Sequence, residues 1–425
     1  MPDLDALAAP ITRRAVLQGT ALAGFAAFLA ACGNSGSATP SGGAGSPSGS
    51  GPTPAPSGSS GGPTPTGPLK FANWAAYIDL TTLPGPDGEE GTDDDEYDLP
   101  SPTLDDFQAE YGVEVEYADS IIEDNDSFMA TIRPQLQAGQ ETGWDLIVLT
   151  DWMAAKVIEA GWVEKIDTAN IPTVLANVRD ELRDLPWDPD FEYHVPWQSG
   201  ATGIGYNSES TGRELTKIAD LFDPAFAGKV TMLSEVRDTM PMVHLALQAQ
   251  GKASANEPAN MDEADLQAVS DYVQPFVDSG HIRAFTGNEY LADFESGDTW
   301  VAIVWSGDLA SSGGENDVFV YPEEGSMIWT DNMLIPKGAA NKYTAELMMD
   351  FVYDVDRAAR LANFIYYISP VKGVAEAITE LDPEAGENPL LFPPADAVAK
   401  QHEQPNWDEA TETKANELFA DLSGV

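Results

Sequence analysis

Residues 145–150 read Asp145-Leu-Ile-Val-Leu-Thr150, an apolar run with polar residues at both ends, followed by an amphipathic stretch from about Asp151 to Ala160. Four consecutive apolar residues are too few for a buried helix. They suit a strand covered on both faces, as in a parallel sheet flanked by helices. The same alternation extends upstream. Leu69 to Trp74 is a short apolar strand, and Ser101-Pro102 offers an N-cap with proline at the first helical position. Leu104, Phe107 and Tyr111 then recur at helical spacing before Gly112. Val113 to Tyr117 alternates as a half-exposed edge strand would, and Asn125 or Asp126 is placed to cap a helix ending near Gly139. Three strands with helices between them predict an α/β parallel sheet.

Downstream the pattern repeats. Lys229 to Leu233 and Thr299 to Val304 read as strands, with a helix between them marked by Leu266, Val269 and Val273. A further helix near Asn341 carries Leu347, Met348, Phe351 and Val352 on one face, and another covers about Asp356 to Phe364. From Leu69 to Val425 the chain is longer than the ~250–300 residues at which single cores stop growing, so two α/β lobes are expected. A ligand should sit where the C-terminal ends of their strands face one another.

The first 68 residues carry no such pattern. Arg13-Arg14 precede an apolar run from Ala21 to Ala31 that ends directly before Cys32, the only cysteine. The run is short for a membrane span and has the layout of an export signal. The arginine pair resembles a twin-arginine signal, and Leu29-Ala30-Ala31-Cys32 resembles a lipobox whose cysteine is lipidated. Residues 1–31 are thus expected to be a removable signal peptide. Residues 32–68, rich in Gly, Ser, Pro and Thr, are expected to form a flexible tether. Within it, Gly58-Ser59-Ser60-Gly61-Gly62 satisfies a nucleophile-elbow pattern but lacks the flanking strand and helix that such an elbow needs.

Composition narrows the partners. Twenty-one Lys and Arg stand against 70 Asp and Glu, a net charge of −49. Nucleic acid, which needs a basic footprint, is excluded as a partner, and an anionic membrane surface would repel the body, leaving lipid as the anchor. Such acidity suits cationic ligands. The four histidines are scattered and the single thiol is assigned to lipid, so no catalytic constellation, metal site or cofactor is expected. Between Leu83 and Ser101 lies Pro-Gly-Pro-Asp-Gly-Glu-Glu-Gly-Thr-Asp-Asp-Asp-Glu-Tyr-Asp-Leu-Pro. Its spacing matches no EF-hand, and it reads as a solvated loop, with a weak divalent-cation site as the alternative.

Four fragments occur in an order that resembles the spermidine/putrescine-binding proteins of polyamine ABC importers. They are Asn73-Trp74-Ala-Ala-Tyr77; Trp144-Asp145-Leu-Ile-Val-Leu-Thr150-Asp-Trp152; Val195-Pro196-Trp-Gln-Ser-Gly200-Ala201-Thr202-Gly-Ile-Gly205-Tyr-Asn207; and Ile328-Trp329-Thr-Asp331-Asn-Met-Leu-Ile-Pro336. The resemblance implies a two-lobed periplasmic-binding-protein-like α/β fold with a hinge and an interlobe cleft. The expected division is 69–206 plus 332–375 for one lobe and 207–331 plus 376–425 for the other. It also implies ligand-binding positions. Trp74 and Tyr77 match first-strand aromatics, Thr150 falls where the family often has Ser, and Trp152 falls where it has Tyr. Glu235 and Asp238 fall on a pair of acids with their lengths exchanged. Trp305, Trp329 and Asp331 match outright, Tyr367 precedes Ile-Ser-Pro as a family tyrosine precedes Thr-Pro, and Gln404 is a looser match. Trp144 and Trp300 are read as packing aromatics.

The chemistry of these residues agrees. A polyamine alternates ammonium groups with methylenes, so carboxylates should be spaced along its cleft with flat apolar walls between. Rings cover methylenes and offer π-faces to ammonium at about 0.5–2 kcal/mol each. The resulting expectation is a monomeric, lipid-anchored receptor on the outer face of the bacterial membrane, not an enzyme, that captures spermidine or putrescine for an ABC permease. The alternatives are another cationic or amino-bearing solute, for which an arginine in the cleft would speak, or a carboxylate-based surface hydrolase.

Overall fold

Two parallel strand groups are joined by two long antiparallel strands that cross between them. The computed structural model describes residues 63–83, 96–98, 101–314, 316–383 and 385–424. The signal peptide, Cys32, the elbow-like motif and most of the acidic loop lie outside the described residues. The strands are β1 (Leu69–Trp74), β2 (Thr81–Leu83), β3 (Glu96–Asp98), β4 (Val115–Ile122), β5 (Leu146–Thr150), β6 (Val195–Asn207), β7 (Val230–Leu233), β8 (Ile282–Thr286), β9 (Val301–Trp305), β10 (Asp317–Val320), β11 (Ser326–Leu334) and β12 (Gln401–Glu403). The main sheet runs β4-β1-β5-β11-β6-β9-β7-β8, with β10 beside β6 and β12 beside β11. Pairing is parallel within β4-β1-β5 and within β9-β7-β8, and antiparallel through β5-β11-β6-β9.

β5 is buried throughout, as its apolar run predicts, and its side chains alternate between two cores. Leu146 and Val148 join a core on one face of the first sheet half, while Ile147 and Leu149 join a second on the other face. Each fully buried aliphatic side chain contributes about 1.5–3 kcal/mol. A third core covers the other half of the sheet. The crossing strands pass from one lobe to the other within a few residues. On β6, Trp197 belongs to the first lobe's core and Ile204 to the second's; on β11, Trp329 and Met327 divide the same way. β11 also bulges between Asp331 and Asn332, where its register with β6 shifts.

Several local expectations shift. The edge strand begins at Val115, not Val113, and runs on to Ile122. The helix Asn125–Ala138 is capped by Asp124, whose carboxylate accepts from Ser127 N at 2.7 Å, and neither Asn125 nor Asp126 is the cap. Asn125 instead turns inward to Thr150. The tether ends before Pro68, because Thr66 is fixed to the helix Lys342–Phe351: its N–H donates to Thr344 Oγ1 at 2.9 Å and its hydroxyl to Asn341 Oδ1 at 2.7 Å. The 376–392 stretch packs with the first lobe, not the second as the expected division had it. The helix Val374–Leu381 lies on the helix Val355–Ile365, and Ile378, Ala385 and Leu391 complete the first core. β2 pairs antiparallel with β3, closing the two ends of the acidic loop together.

Candidate functional site

Strand ends build the site. Trp74 terminates β1, Thr150 terminates β5, Trp305 terminates β9, and Glu235 follows β7 as the cap of the helix Val236–Ala249. These C-terminal ends face one another across the lobes, where a parallel sheet leaves strand-end side chains without a neighbouring strand. The cleft between them is narrow, leaving about 40 Å³ for the centres of water-sized molecules. All eleven expected residues line it: Trp74, Tyr77, Thr150, Trp152, Glu235, Asp238, Trp305, Trp329, Asp331, Tyr367 and Gln404. Ala75, Asn125, Asn288 and Asp308 also line it and were not expected. Asp308 lies three residues past Trp305, so the strand-end rule that selected the tryptophan would have reached it. Asn125 and Asn288 come from loop and helix starts that carry no such signal.

Three buried aspartates are held by neutral donors. Asp331 accepts from Thr150 Oγ1 at 2.7 Å, and Asn125 Nδ2 donates to that same threonine hydroxyl at 2.9 Å. Asp238 accepts from Thr202 Oγ1 and Gln404 Nε2, both at 2.7 Å, and from Trp305 Nε1 at 2.9 Å. Asp308 accepts from Tyr367 OH at 2.7 Å and Tyr290 OH at 2.8 Å, with Asn288 Nδ2 at 2.5 Å. Glu235 accepts from Arg237 N at 3.1 Å. No Lys, Arg or His is among the lining residues. Burial therefore dominates the titration of Glu235, Asp238 and Asp331. It raises Asp331 to about 7, with Asp238 adding to the rise, and it raises Glu235 to about 8 despite the opposing charge of Arg237. Asp238 is also raised by burial. The Tyr77, Tyr290 and Tyr367 phenols are pushed well above their ordinary range by burial and the nearby acids, so they remain donors.

The rings form a wall. Trp74 and Trp305 meet edge to face at 6.4 Å, Tyr77 and Tyr367 at 5.0 Å, and Trp329 lies 5.6 Å from Tyr367. The indoles of Trp74 and Trp329 are anchored by Val148 O and Thr202 Oγ1, both at 3.1 Å. Gly200 makes this packing possible: a Cβ there would stand 2.5 Å from the Trp329 ring and 2.8 Å from that of Tyr367. Arg237, the one arginine near the acids in sequence, stays out of the cavity. Its guanidinium lies behind Trp152, 3.5 Å from the ring centroid. The arrangement can desolvate, neutralise and flatten a polycation, and it offers no cation among its lining residues for a ligand carboxylate.

Residues 103–393 match the family model of bacterial extracellular solute-binding proteins. The spermidine/putrescine-binding periplasmic protein 1 of Haemophilus influenzae is 27% identical over 315 residues, covering 73% of this chain and 82% of that one. The putrescine-binding periplasmic protein PotF of Escherichia coli is 27% identical over 313 residues, covering 70% and 81%. Among solved structures, the Tp0655 (TpPotD) lipoprotein of Treponema pallidum superposes with a TM-score of 0.65 at 20% identity, covering 84% of this chain and 99% of that one.

Proposed function

The chain belongs to the bacterial extracellular solute-binding proteins, and from that membership we propose that its cleft captures a polyamine, spermidine or putrescine, for an ABC importer. The observation that carries this reading is the set of four acids and six aromatic rings around one cavity without a lining cation. The names of the 27%-identical relatives support the same ligand class. Ammonium groups would replace the missing countercharge for Glu235, Asp238, Asp308 and Asp331, and the rings would cover the methylenes between them. A carboxylate about 4 Å from an ammonium contributes on the order of 4 kcal/mol at an effective dielectric near 20. After desolvation and ordering costs, micromolar affinity near −8 kcal/mol is expected. The protein acts as a monomer that binds without turnover, closing its lobes as the ligand touches both.

Titration calorimetry and intrinsic fluorescence test this together. Spermidine or putrescine should give a saturable one-to-one signal that sodium chloride at equal ionic strength does not reproduce. Ammonium binding requires ionised carboxylates, and burial raises Asp331 to about 7. Affinity should therefore rise with pH between about 5.5 and 8, by up to about tenfold per unit below 7 for that group alone. A flat titration at millimolar polyamine would discard the ligand class while leaving the fold untouched.

The attachment to the membrane is proposed to run through a lipid on Cys32, exported by the twin-arginine-like signal. The body would then be held by the tether alone, since no helix among the described residues is long and apolar enough to cross a membrane. Cys32→Ser is expected to move the protein from the membrane pellet to the soluble fraction with its spermidine binding intact. Recovery of that variant in the pellet would refute the anchor.

A further inference from the structure

Behind the cavity wall, four side chains from the two lobes meet. Trp152 and Lys156 lie on the first lobe's helix Asp151–Glu159, and Trp152 packs into that lobe's outer core. Arg237 lies on the second lobe's helix Val236–Ala249, and Glu412 on its C-terminal helix Glu409–Ser423. The Arg237 guanidinium is fully buried. It stacks on Trp152 at 3.5 Å and reaches Trp407 at 5.1 Å, while Nη2 contacts Glu412 Oε1 at 2.6 Å and Nε donates to Pro405 O at 3.2 Å. Lys156, from the opposite lobe, pairs with that same Glu412 oxygen. Asp126, also on the first lobe, adds its field to Arg237 and Lys156.

We propose that Arg237, Glu412 and Lys156 form an interlobe latch that engages when the cleft closes and holds the captured ligand, with Arg237 as its positioning residue. The inference rests on the polyamine reading for its ligand and goes beyond it in naming what retains the closed state. Arg237 touches both walls of the cavity without entering it. Its face supports Trp152 on one wall, and its Nε fixes Pro405, next to Gln404, whose side chain orients Asp238 on the other. Opening would separate Trp152 from the guanidinium and Lys156 from Glu412, because each pair spans the lobes. Closing also has a cost. Arg237 Nη1 is buried without a hydrogen-bond partner, and a buried N–H left unpaired opposes the state that buries it. The latch therefore leaves the ligand-free protein divided between closed and open forms, and a ligand bridging the lobes tips the balance.

Stopped-flow fluorescence of the full chain with spermidine tests the latch. Lys156→Gln removes one cross-lobe pair at a partly exposed position. It should speed spermidine dissociation about twofold to fivefold, the range of a single such ion pair, with the association rate within about twofold. Arg237→Lys keeps the charge and loses the planar stack, and should speed dissociation roughly tenfold. If that buried substitution unfolds the chain, Lys156→Gln alone decides. An unchanged dissociation rate in Lys156→Gln would overturn the latch, as would equal slowing of association. Should the wild-type chain bind neither spermidine nor putrescine, the ligand reading fails by itself. Small-angle scattering of the ligand-free chain then judges the latch: a larger radius of gyration in Lys156→Gln than in wild type supports it, and identical radii refute it.

Discussion

Replacing Asp331 with asparagine is expected to weaken spermidine binding by about 1.5–3 kcal/mol, the scale of a hydrogen bond to a charged group. The substitution preserves shape and the acceptor that Thr150 Oγ1 uses, so the loss isolates the charge. Stability should move the other way. The native carboxyl titrates near 7, above its unfolded value of about 3.9, so the native state binds more protons across that interval. Its favourable contribution is complete below about pH 4 and is lost as pH rises through about 7. At pH 8 the ligand-free Asp331→Asn protein should therefore unfold at a higher temperature than wild type, and the difference should shrink towards pH 4. Calorimetric binding and thermal melts on the same samples check both signs. A loss of affinity accompanied by a loss of stability at pH 8 would mean that Asp331 holds the fold and not the ligand.

Gly200→Ala is expected to be nearly as damaging by a different route. Its Cβ would overlap the rings of Trp329 and Tyr367, which are buried and cannot swing into solvent. One ring must move towards the cavity. Overpacking of this kind costs about 1–3 kcal/mol of stability, and the narrowed cleft should lose at least about tenfold in affinity. Denaturant unfolding with calorimetry measures both. A variant within about 0.5 kcal/mol of wild type and with unaltered affinity would show that the rings have slack that the packing does not suggest.

The legible parts of the sequence were those whose pattern is local. β5 declares itself by four apolar residues between polar ends, and β1, β7 and β9 by similar runs that carry Trp74 and Trp305 to strand ends; β8, Ile282–Thr286, has no such run and is not marked by the sequence. Nor are the crossing strands. β6 carries Gly200, Gly203 and Gly205, and glycine weakens a strand in isolation, so no continuous apolar run marks its extent. Its neighbours explain the choice: a Cβ at Gly203 would lie 2.6 Å from Val320 O, and one at Gly205 would lie 2.8 Å from Val304. The aromatics and acids of the site were recognisable by resemblance to a family, and Asp308 was missed because no quoted fragment reached it. Asn125 and Asp126 both suit a helix cap because Asx residues favour caps; tertiary demand for a partner on Thr150 takes Asn125 inward, and the cap is Asp124.

The crossing strands also set a schedule for synthesis. Thr150 on β5 and Asp331 on β11 are hydrogen-bonded neighbours separated by 181 positions. At ~5–20 residues per second, β5 waits on the order of ten to forty seconds after leaving the ribosome before β11 exists to cover its edge. The second lobe waits longer still, since Ala415, Leu418, Phe419 and Leu422 of the last helix complete its core. During that interval a bare Leu-Ile-Val-Leu edge is a template for pairing with other chains. Nascent chains that stop short of Leu334 should thus aggregate, and the cell must shield this segment until nearly the whole protein has been made.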